Sequence, residues 1–408
     1  MKICLIIDDY LPESIKIGAK MMHELAVEFV SRGHTVTVVT PAPGLRSRSE
    51  MLVLDGVMIC RFCSGEIKNI SKGKRAINET LLSYRAWHAY KKYFQQHPHD
   101  LIIYYSPTIF WAHLVSRLKK LWGATSYLVL RDFFPQWAID SGMLSAKSPI
   151  TCYFRLFESL NYCAADAIGI QSPKNLAWFS KNSKIKKPLD LLYNWAANDP
   201  ITVNSNCYRQ KLGLQNKVVF FYGGNIGQAQ DMMNIVRLAK ALRSEHSAHF
   251  VLVGAGDEIE LVRSSIRLHD LRNMTLLSPV EQNEFKKMLA EFDVGLFSLN
   301  REHTTHNFPG KILGYMVQEK PILGSINPKN DLQDIIEEAK AGLVTINGDD
   351  MGLLNNALKL LHNTELREKM GADAKQLLLD VFSVQAAASI ILAQLSRMST
   401  ITDARQAD

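Results

Sequence analysis

Residues 2–40 read KICLIIDDYLPESIKIGAKMMHELAVEFVSRGHTVTVVT. The apolar run at 2–7 has the length of a buried strand, and a polar loop after it passes Gly18 into AKMMHELAVEFVSRGH. In that segment apolar residues recur at helical spacing and stop at Gly33, while 34–40 alternates like a second strand. A strand, a loop, a helix and a strand in this order make a crossover between parallel strands, the opening of a doubly wound α/β sheet.

The same alternation extends outward. Further strands are expected at 57–62, 100–105, 126–130 and 167–171, with helical stretches between most of them. It restarts with a strand at 218–222, a helix at 231–244, a strand at 248–253 and a helix at 258–268. It continues through a strand at 274–277, a helix at 281–291, a strand at 294–298, a helix from 310 and a strand at 321–324. Two parallel sheets, hence two Rossmann-like domains with a cleft, follow from this pattern. The aperiodic segment 193–206 is the linker, so the domains are 1–195 and 196–382, with a C-terminal helix at 383–399 expected to return to the first. A length of 408 residues fits two cores better than one.

Hydrophobic residues at 47% and charged residues at 21% describe a globular chain, not a disordered or membrane-spanning one. The apolar start is broken by Asp8 and Asp9, unlike a secretory signal, and no apolar run approaches the ~20 residues of a bilayer span. Six scattered cysteines, with one C-x-x-C at Cys60 and Cys63 and no second pair, suggest reduced thiols in the cytoplasm. The net charge of +7 is uneven: residues 1–195 carry 25 Lys and Arg against 15 Asp and Glu, and the remainder carries 22 against 25. One lobe is thus suited to an anionic surface or substrate. Nucleic acid is not expected, because no zinc-finger spacing or aromatic-interleaved RNA motif is present.

Five segments can carry chemistry. FFYGGNIGQAQD (220–231) is a strand ending in glycines before a helix, so the backbone of Gly224, Asn225, Ile226, Gly227 and Gln228 can approach a diphosphate closely, and the N-terminus of the following helix offers it free N–H groups. A turn requiring glycine only for its dihedral angles would look the same. In HNFPGKILGYMVQEKPIL (306–323), Pro309 and Gly310 deliver Lys311 to the first turn of a helix, where a lysine can pair with phosphate oxygens. Gly18 in the first βα loop leaves room for substrate against the backbone, and no G-x-G-x-x-G follows that strand. LVLRDFFPQWAIDSG (128–142) ends a strand in Arg131 and Asp132, at the strand end where ligands lie in open α/β sheets; Asp132 can deprotonate an acceptor hydroxyl or merely pair with Arg131. Finally, 66–94 holds seven Lys or Arg against two Glu among Leu, Tyr, Trp and Phe, a composition suited to an anionic bilayer or to an ordinary amphipathic helix. The run 109–122 is similar, with core packing the plainer reading.

Taken in order, DDYLPES, RDFFPQW, QSPKN, FYGGNIGQAQDM, VGAGDE, FDVGLF and FPGKILGYMVQEKPIL make the chain resemble the retaining glycosyltransferases of family 4 over nearly its full length. Within them it is similar to the proteins assigned as N-acetyl-L-fucosamine transferases of bacterial O-antigen assembly. The resemblance implies a GT-B fold, no metal, no cofactor, and a nucleoside-diphosphate sugar, UDP-linked, as donor. Its diphosphate would meet Gly18, the Gly224–Gly227 loop and the Pro309–Lys311 turn. The acceptor implied is a saccharide on a lipid diphosphate carrier, reached from the basic first lobe at the inner face of the cytoplasmic membrane.

The chain departs from that pattern in three places. Asn225 and Asp231 stand where many members have Arg and Lys, leaving phosphate charge to Lys311 or Arg301. The usual Glu-x7-Glu pair falls on His306 and Gly314, and Tyr105 and Ser106 replace a histidine region after the fourth strand. Two alternatives stay open: a nucleotide-sugar 2-epimerase of the same fold, and a non-catalytic subunit of a polysaccharide assembly complex.

Overall fold

Ile3, Cys4, Leu5 and Ile6 are fully buried in β1 (Lys2–Ile6), as a strand must be when helices cover both faces of its sheet. A computed structural model describes residues 1–14, 16–67, 70–140, 142–202, 207–302 and 308–407. It comprises two units, residues 1–194 with the helix from Val384, and residues 195–383.

The strands of unit 1 are β1, β2 (Thr35–Pro41), β3 (Ser49–Leu54), β4 (Val57–Phe62), β5 (Leu101–Ser106), β6 (Thr125–Leu130), β7 (Ala167–Ile170) and β8 (Leu189–Leu191), in the sheet order β3-β4-β2-β1-β5-β6-β7-β8. All pairs are parallel except β3 with β4. The first strand of that hairpin, β3, and the short β8 are additions to the expected strands. The hairpin's signal is Asp55-Gly56, both at positive φ (51° and 79°), as a tight two-residue turn demands. Helices α1 (Ile17–Ser31), α2 (Lys72–Thr80), α3 (Leu82–Gln96), α4 (Ala112–Trp122), α5 (Gln136–Asp140), α6 (Pro149–Ala164) and α7 (Pro173–Asn182) complete the crossovers. The basic stretch 66–94 therefore contains α2 and most of α3, and 109–122 buries Leu114, Val115 and Leu118 on the inner face of α4.

Unit 2 holds α8 (Cys207–Leu212), β9 (Val218–Gly223), α9 (Met232–Ala241), β10 (Ala248–Val253), α10 (Ile259–Leu268), β11 (Met274–Leu277), α11 (Gln282–Glu291) and β12 (Val294–Ser298). It continues with α12 (Lys311–Val317), β13 (Ile322–Ile326), α13 (Asp331–Glu338), β14 (Gly342–Ile346), α14 (Asp350–His362) and α15 (Thr364–Leu377). Its sheet runs β11-β10-β9-β12-β13-β14, and every pair is parallel. Helix α16 (Val384–Ala407) packs on α1 of unit 1, where Arg32 donates to Ser389 Oγ (3.1 Å) and to the Gln385 carbonyl (2.9 Å).

In each sheet the order reverses at one point, between β1 and β5 in unit 1 and between β9 and β12 in unit 2. Loops leave such a point in opposite directions and open a crevice beyond the carboxyl ends of the strands. Gly224–Gly227 follow β9, and Asp8 and Asp9 follow β1.

Candidate functional site

At the switch point of unit 2, β9 ends and the chain turns through Gly224 at φ 119°, a conformation that side chains other than glycine rarely adopt. The loop is tied to its neighbour by three backbone bonds: Gly224 N to Val253 O (2.9 Å), Ile226 N to Ala255 O (2.9 Å) and Glu258 N to Ile226 O (3.0 Å). Ile226 is fully buried and anchors the loop, while Gly224 and Asn225 are exposed. The amides of Asn225, which is exposed, and Gly227, which is buried, have no hydrogen-bond partner among the described residues, so each is a donor still to be satisfied.

Lys311 opens α12 and reaches back to this loop. A β-carbon on Gly224 would stand 3.8 Å from Lys311 Nζ. The ammonium lies 3.4 Å from the centroid of the Tyr222 ring and has no hydrogen-bond partner among the described residues. Burial holds its pKa well below the usual lysine value. Leaving a buried donor unmade is costly, and an anion against Gly224 would supply what is missing. Tyr315, one turn along α12, fixes the register: its hydroxyl donates to Leu296 O (2.8 Å) of β12 and accepts from Gly223 N (3.4 Å) of β9. Gly310 and Pro309 precede Lys311 at the start of the helix.

Other expected contacts are placed differently. Helix α9 begins at Met232, not at Asp231, because a 3-10 turn at Gln228–Gln230 and a left-handed Asp231 (φ 47°) intervene. Its first amide is already taken: Met232 N donates to Glu258 Oε2 at 3.2 Å. The amides left without a partner thus belong to the loop before α9, not to the first residue of the helix. Arg301 is exposed, and a β-carbon on Gly348 would come within 2.9 Å of its Nη1, which puts the guanidinium over the β14–α14 loop. His306 lies outside the described residues, and Gly314 sits within α12.

A hollow of about 480 Å³ opens beside the loop, lined by Asn225, Gln228, Ala229, Asp257, Asn300 and Glu302. Asn300 Nδ2 donates to Gln228 O (3.2 Å), which joins the loop after β12 to the loop after β9. Asp257, Asn300, Glu302, Tyr222 and Tyr315 were not among the expected site residues. The motif VGAGDE contains Asp257, but only the packing of its glycines under Gly224 and Ile226 reveals what it faces. Among the described residues no group of three or more His, Cys, Asp or Glu is placed to hold a metal ion.

In unit 1, Gly18 lies in the first turn of α1, not in the loop before it, and a β-carbon there would meet Tyr105 Oη at 2.8 Å. Arg131 donates to the same hydroxyl (3.1 Å) and to Met21 Sδ (3.2 Å), and no Arg131–Asp132 ion pair forms. Asp132 is exposed, yet the mass of protein around it raises its carboxyl pKa, with Arg131 opposing. Asp8, just past β1, is pushed up to about 6 by burial, against an opposing pull from its own backbone amide and Lys16. Asp8 also acts on Tyr105. The ends of β1, β5 and β6 therefore gather Asp8, Gly18, Tyr105 and Arg131, of which Asp8 and Tyr105 are additions to the expected set.

Residues 205–377 match the family described as Glycosyl transferases group 1. The chain is 23% identical over 228 residues to the Probable glycosyltransferase WbjE of Pseudomonas aeruginosa, covering 55% of this chain and 57% of that protein; it spans little more than half of this curated relative. Anabaena Alr3699/HepE, solved in complex with UDP, has a TM-score of 0.66 and 16% identity, with 97% of this chain and 100% of that one covered. WaaG, a glycosyltransferase involved in lipopolysaccharide biosynthesis, gives 0.64 and 16%, with 95% and 99% covered. The chain shares with these structures the α/β fold of two parallel-sheet domains found in GT-B glycosyltransferases.

Proposed function

We propose that the chain is a retaining glycosyltransferase that moves a hexose, N-acetyl-L-fucosamine being the candidate, from a nucleoside-diphosphate donor to a lipid-linked saccharide of a surface polysaccharide such as O-antigen. The observation that carries it is Lys311, a buried ammonium without a hydrogen-bond partner among the described residues, set beside the exposed Gly224 turn. The group 1 match over 205–377 and the UDP bound to HepE support a nucleotide diphosphate as its occupant.

In this reading the diphosphate lies against Gly224, with Lys311 and the Asn225 and Gly227 amides on its oxygens, while Asn300, Asp257 and Glu302 reach the remainder of the donor. The bond from the anomeric carbon to the leaving phosphate oxygen breaks as the acceptor oxygen bonds to that carbon on the same face. The leaving phosphate oxygen takes the acceptor proton. The protein supplies fixed donors where negative charge develops, so little reorganisation is needed. Unit 1 receives the acceptor, with Asp132 near its hydroxyl and Tyr105 holding Arg131 in place.

The test is a panel of nucleotide sugars read first by protection against thermal unfolding and then by transfer to a polyprenyl-diphosphate saccharide. Protection by one nucleoside diphosphate series, followed by product retaining the anomeric configuration, is expected. No protection by any member of the panel would remove the reading, and conversion of the donor without acceptor would replace it with epimerisation.

A further inference from the structure

The hollow beside the Gly224–Gly227 loop has a charge opposite to that of the Lys311 side of the same loop. Two carboxylates, Asp257 and Glu302, line it together with Asn225, Gln228, Ala229 and Asn300, and no lysine, arginine or aromatic ring is among its lining residues. Arg301, next to Glu302 in the chain, is turned away over Gly348. Asp257 stands hard against the loop: a β-carbon on Gly227 would collide with its Oδ1, so glycine at 227 is what admits the carboxylate. Glu302 is placed through its own amide, which donates to Asn300 Oδ1 (3.0 Å), while Asn300 Nδ2 donates to the Gln228 carbonyl (3.2 Å).

The Asn225 side-chain amide is already engaged, since its Nδ2 donates to Gln230 Oε1 (2.6 Å). The carboxylates are not. Among the described residues neither Asp257 nor Glu302 accepts a hydrogen bond through its side chain or pairs with a cation, and both are exposed to the hollow. An ionised carboxylate only accepts, so the open valences of the hollow call for O–H or N–H groups and repel a further anion. On the Lys311 side the demand is reversed, because an unpartnered ammonium beside Gly224 calls for negative charge. A nucleotide base finds no ring or large apolar side chain to stack on in the hollow. A sugar ring edged with hydroxyls finds two charged acceptors, and such bonds are stronger than neutral ones.

We infer that the hollow receives the transferred sugar of the nucleotide donor and that Asp257 and Glu302 restrict it to sugars without negative charge, excluding uronic acids. The inference rests on the nucleotide-sugar site proposed above and adds the class of sugar it takes. A hexuronate differs from its hexose only by a carboxylate in place of the hydroxymethyl group at carbon 6. Inside the hollow that carboxylate shares a small space with two like charges, an arrangement that costs heavily in affinity.

The test is the affinity of the full-length protein, by calorimetry, for UDP-glucose against UDP-glucuronate and for UDP-galactose against UDP-galacturonate. The nucleoside diphosphate is common to each pair and cancels in the ratio. At least tenfold tighter binding of the neutral member is expected in the pair that binds, with the gap narrowing as salt is added. In Asp257→Asn/Glu302→Gln, isosteric changes at exposed positions that keep the wild-type thermal transition, the ratio falls below threefold. Equal binding of hexose and hexuronate to the wild type overturns the inference and leaves the nucleotide-sugar reading standing. A gap that the double variant preserves also overturns it, by placing the discrimination elsewhere. Absence of binding by all four UDP sugars overturns it too, and the wider nucleotide-sugar panel then decides whether the donor reading falls with it.

Discussion

Gly254 and Gly224 touch backbone to backbone: a β-carbon on Gly254 would stand 1.8 Å from the carbonyl oxygen of Gly224. Gly256 does the same under Ile226, where the gap to the carbonyl oxygen would be 2.1 Å. The shape of the Gly224–Gly227 loop is thus set by the loop beneath it, where Gly254 and Gly256 leave its backbone the room a side chain would take.

Gly254→Ala must therefore move the Gly224 turn. The overpacking costs about 1–3 kcal/mol of stability, and because the loop moves, nucleotide protection falls further than the lost stability explains. Thermal melts with and without nucleoside diphosphate check both. An unchanged ligand-induced shift would show that the Gly224 backbone does not meet the ligand.

On the proposed donor site, Lys311→Ala removes a charge-assisted contact worth ~1.5–3 kcal/mol, so transfer at subsaturating donor is expected to fall at least tenfold. Lys311→Met keeps the length without the charge and separates binding from folding. Burial favours neutral Lys311 in the folded state, so the unfolded chain binds its proton more tightly. The cost to stability is complete below the lowered folded pKa and disappears as pH rises towards the ordinary 10.5. Lys311→Met is accordingly more stable than wild type at neutral pH, by an excess that shrinks in alkali, while its donor affinity is lower. Denaturant melts across that range check the sign.

Asp8 carries the opposite titration. Its carboxyl is raised from 3.8 to about 6, so between those values the folded state keeps a proton that the unfolded chain has released. Stability falls with rising pH through this window, and the full cost remains above it. Asp8→Asn should gain about 1–3 kcal/mol near neutrality and nothing below about pH 4. A gain that persists in acid would assign it to packing instead.

Glu258 caps α9 through Met232 N. Glu258→Ala should cost about 0.5–2 kcal/mol, as loss of a capping acceptor does, with Glu258→Gln recovering part of it. Donor KM should change little, because the carboxylate meets the helix and not the ligand in this reading. A large KM effect with normal stability would place Glu258 in the donor site.

The alternation of buried runs with helical periodicity made both parallel sheets legible, since each crossover needs a strand, a helix and a strand in sequence. The glycines after β9 and the Pro-Gly-Lys start of α12 were legible for a similar reason, because local backbone demands select these residue types wherever they occur. What escaped was long-range. No local pattern states that Lys311 rests on Tyr222, that Glu258 occupies the amide expected to meet phosphate, or that Arg301 lies over Gly348. Nor does one show Gly18 against Tyr105, because a side chain's partner is fixed by which strand ends the sheet order brings together. Periodicity along the chain thus determined the elements and the class of fold. Only the tertiary structure decided which polar groups are already satisfied and which, like the Lys311 ammonium, are left without a hydrogen-bond partner among the described residues.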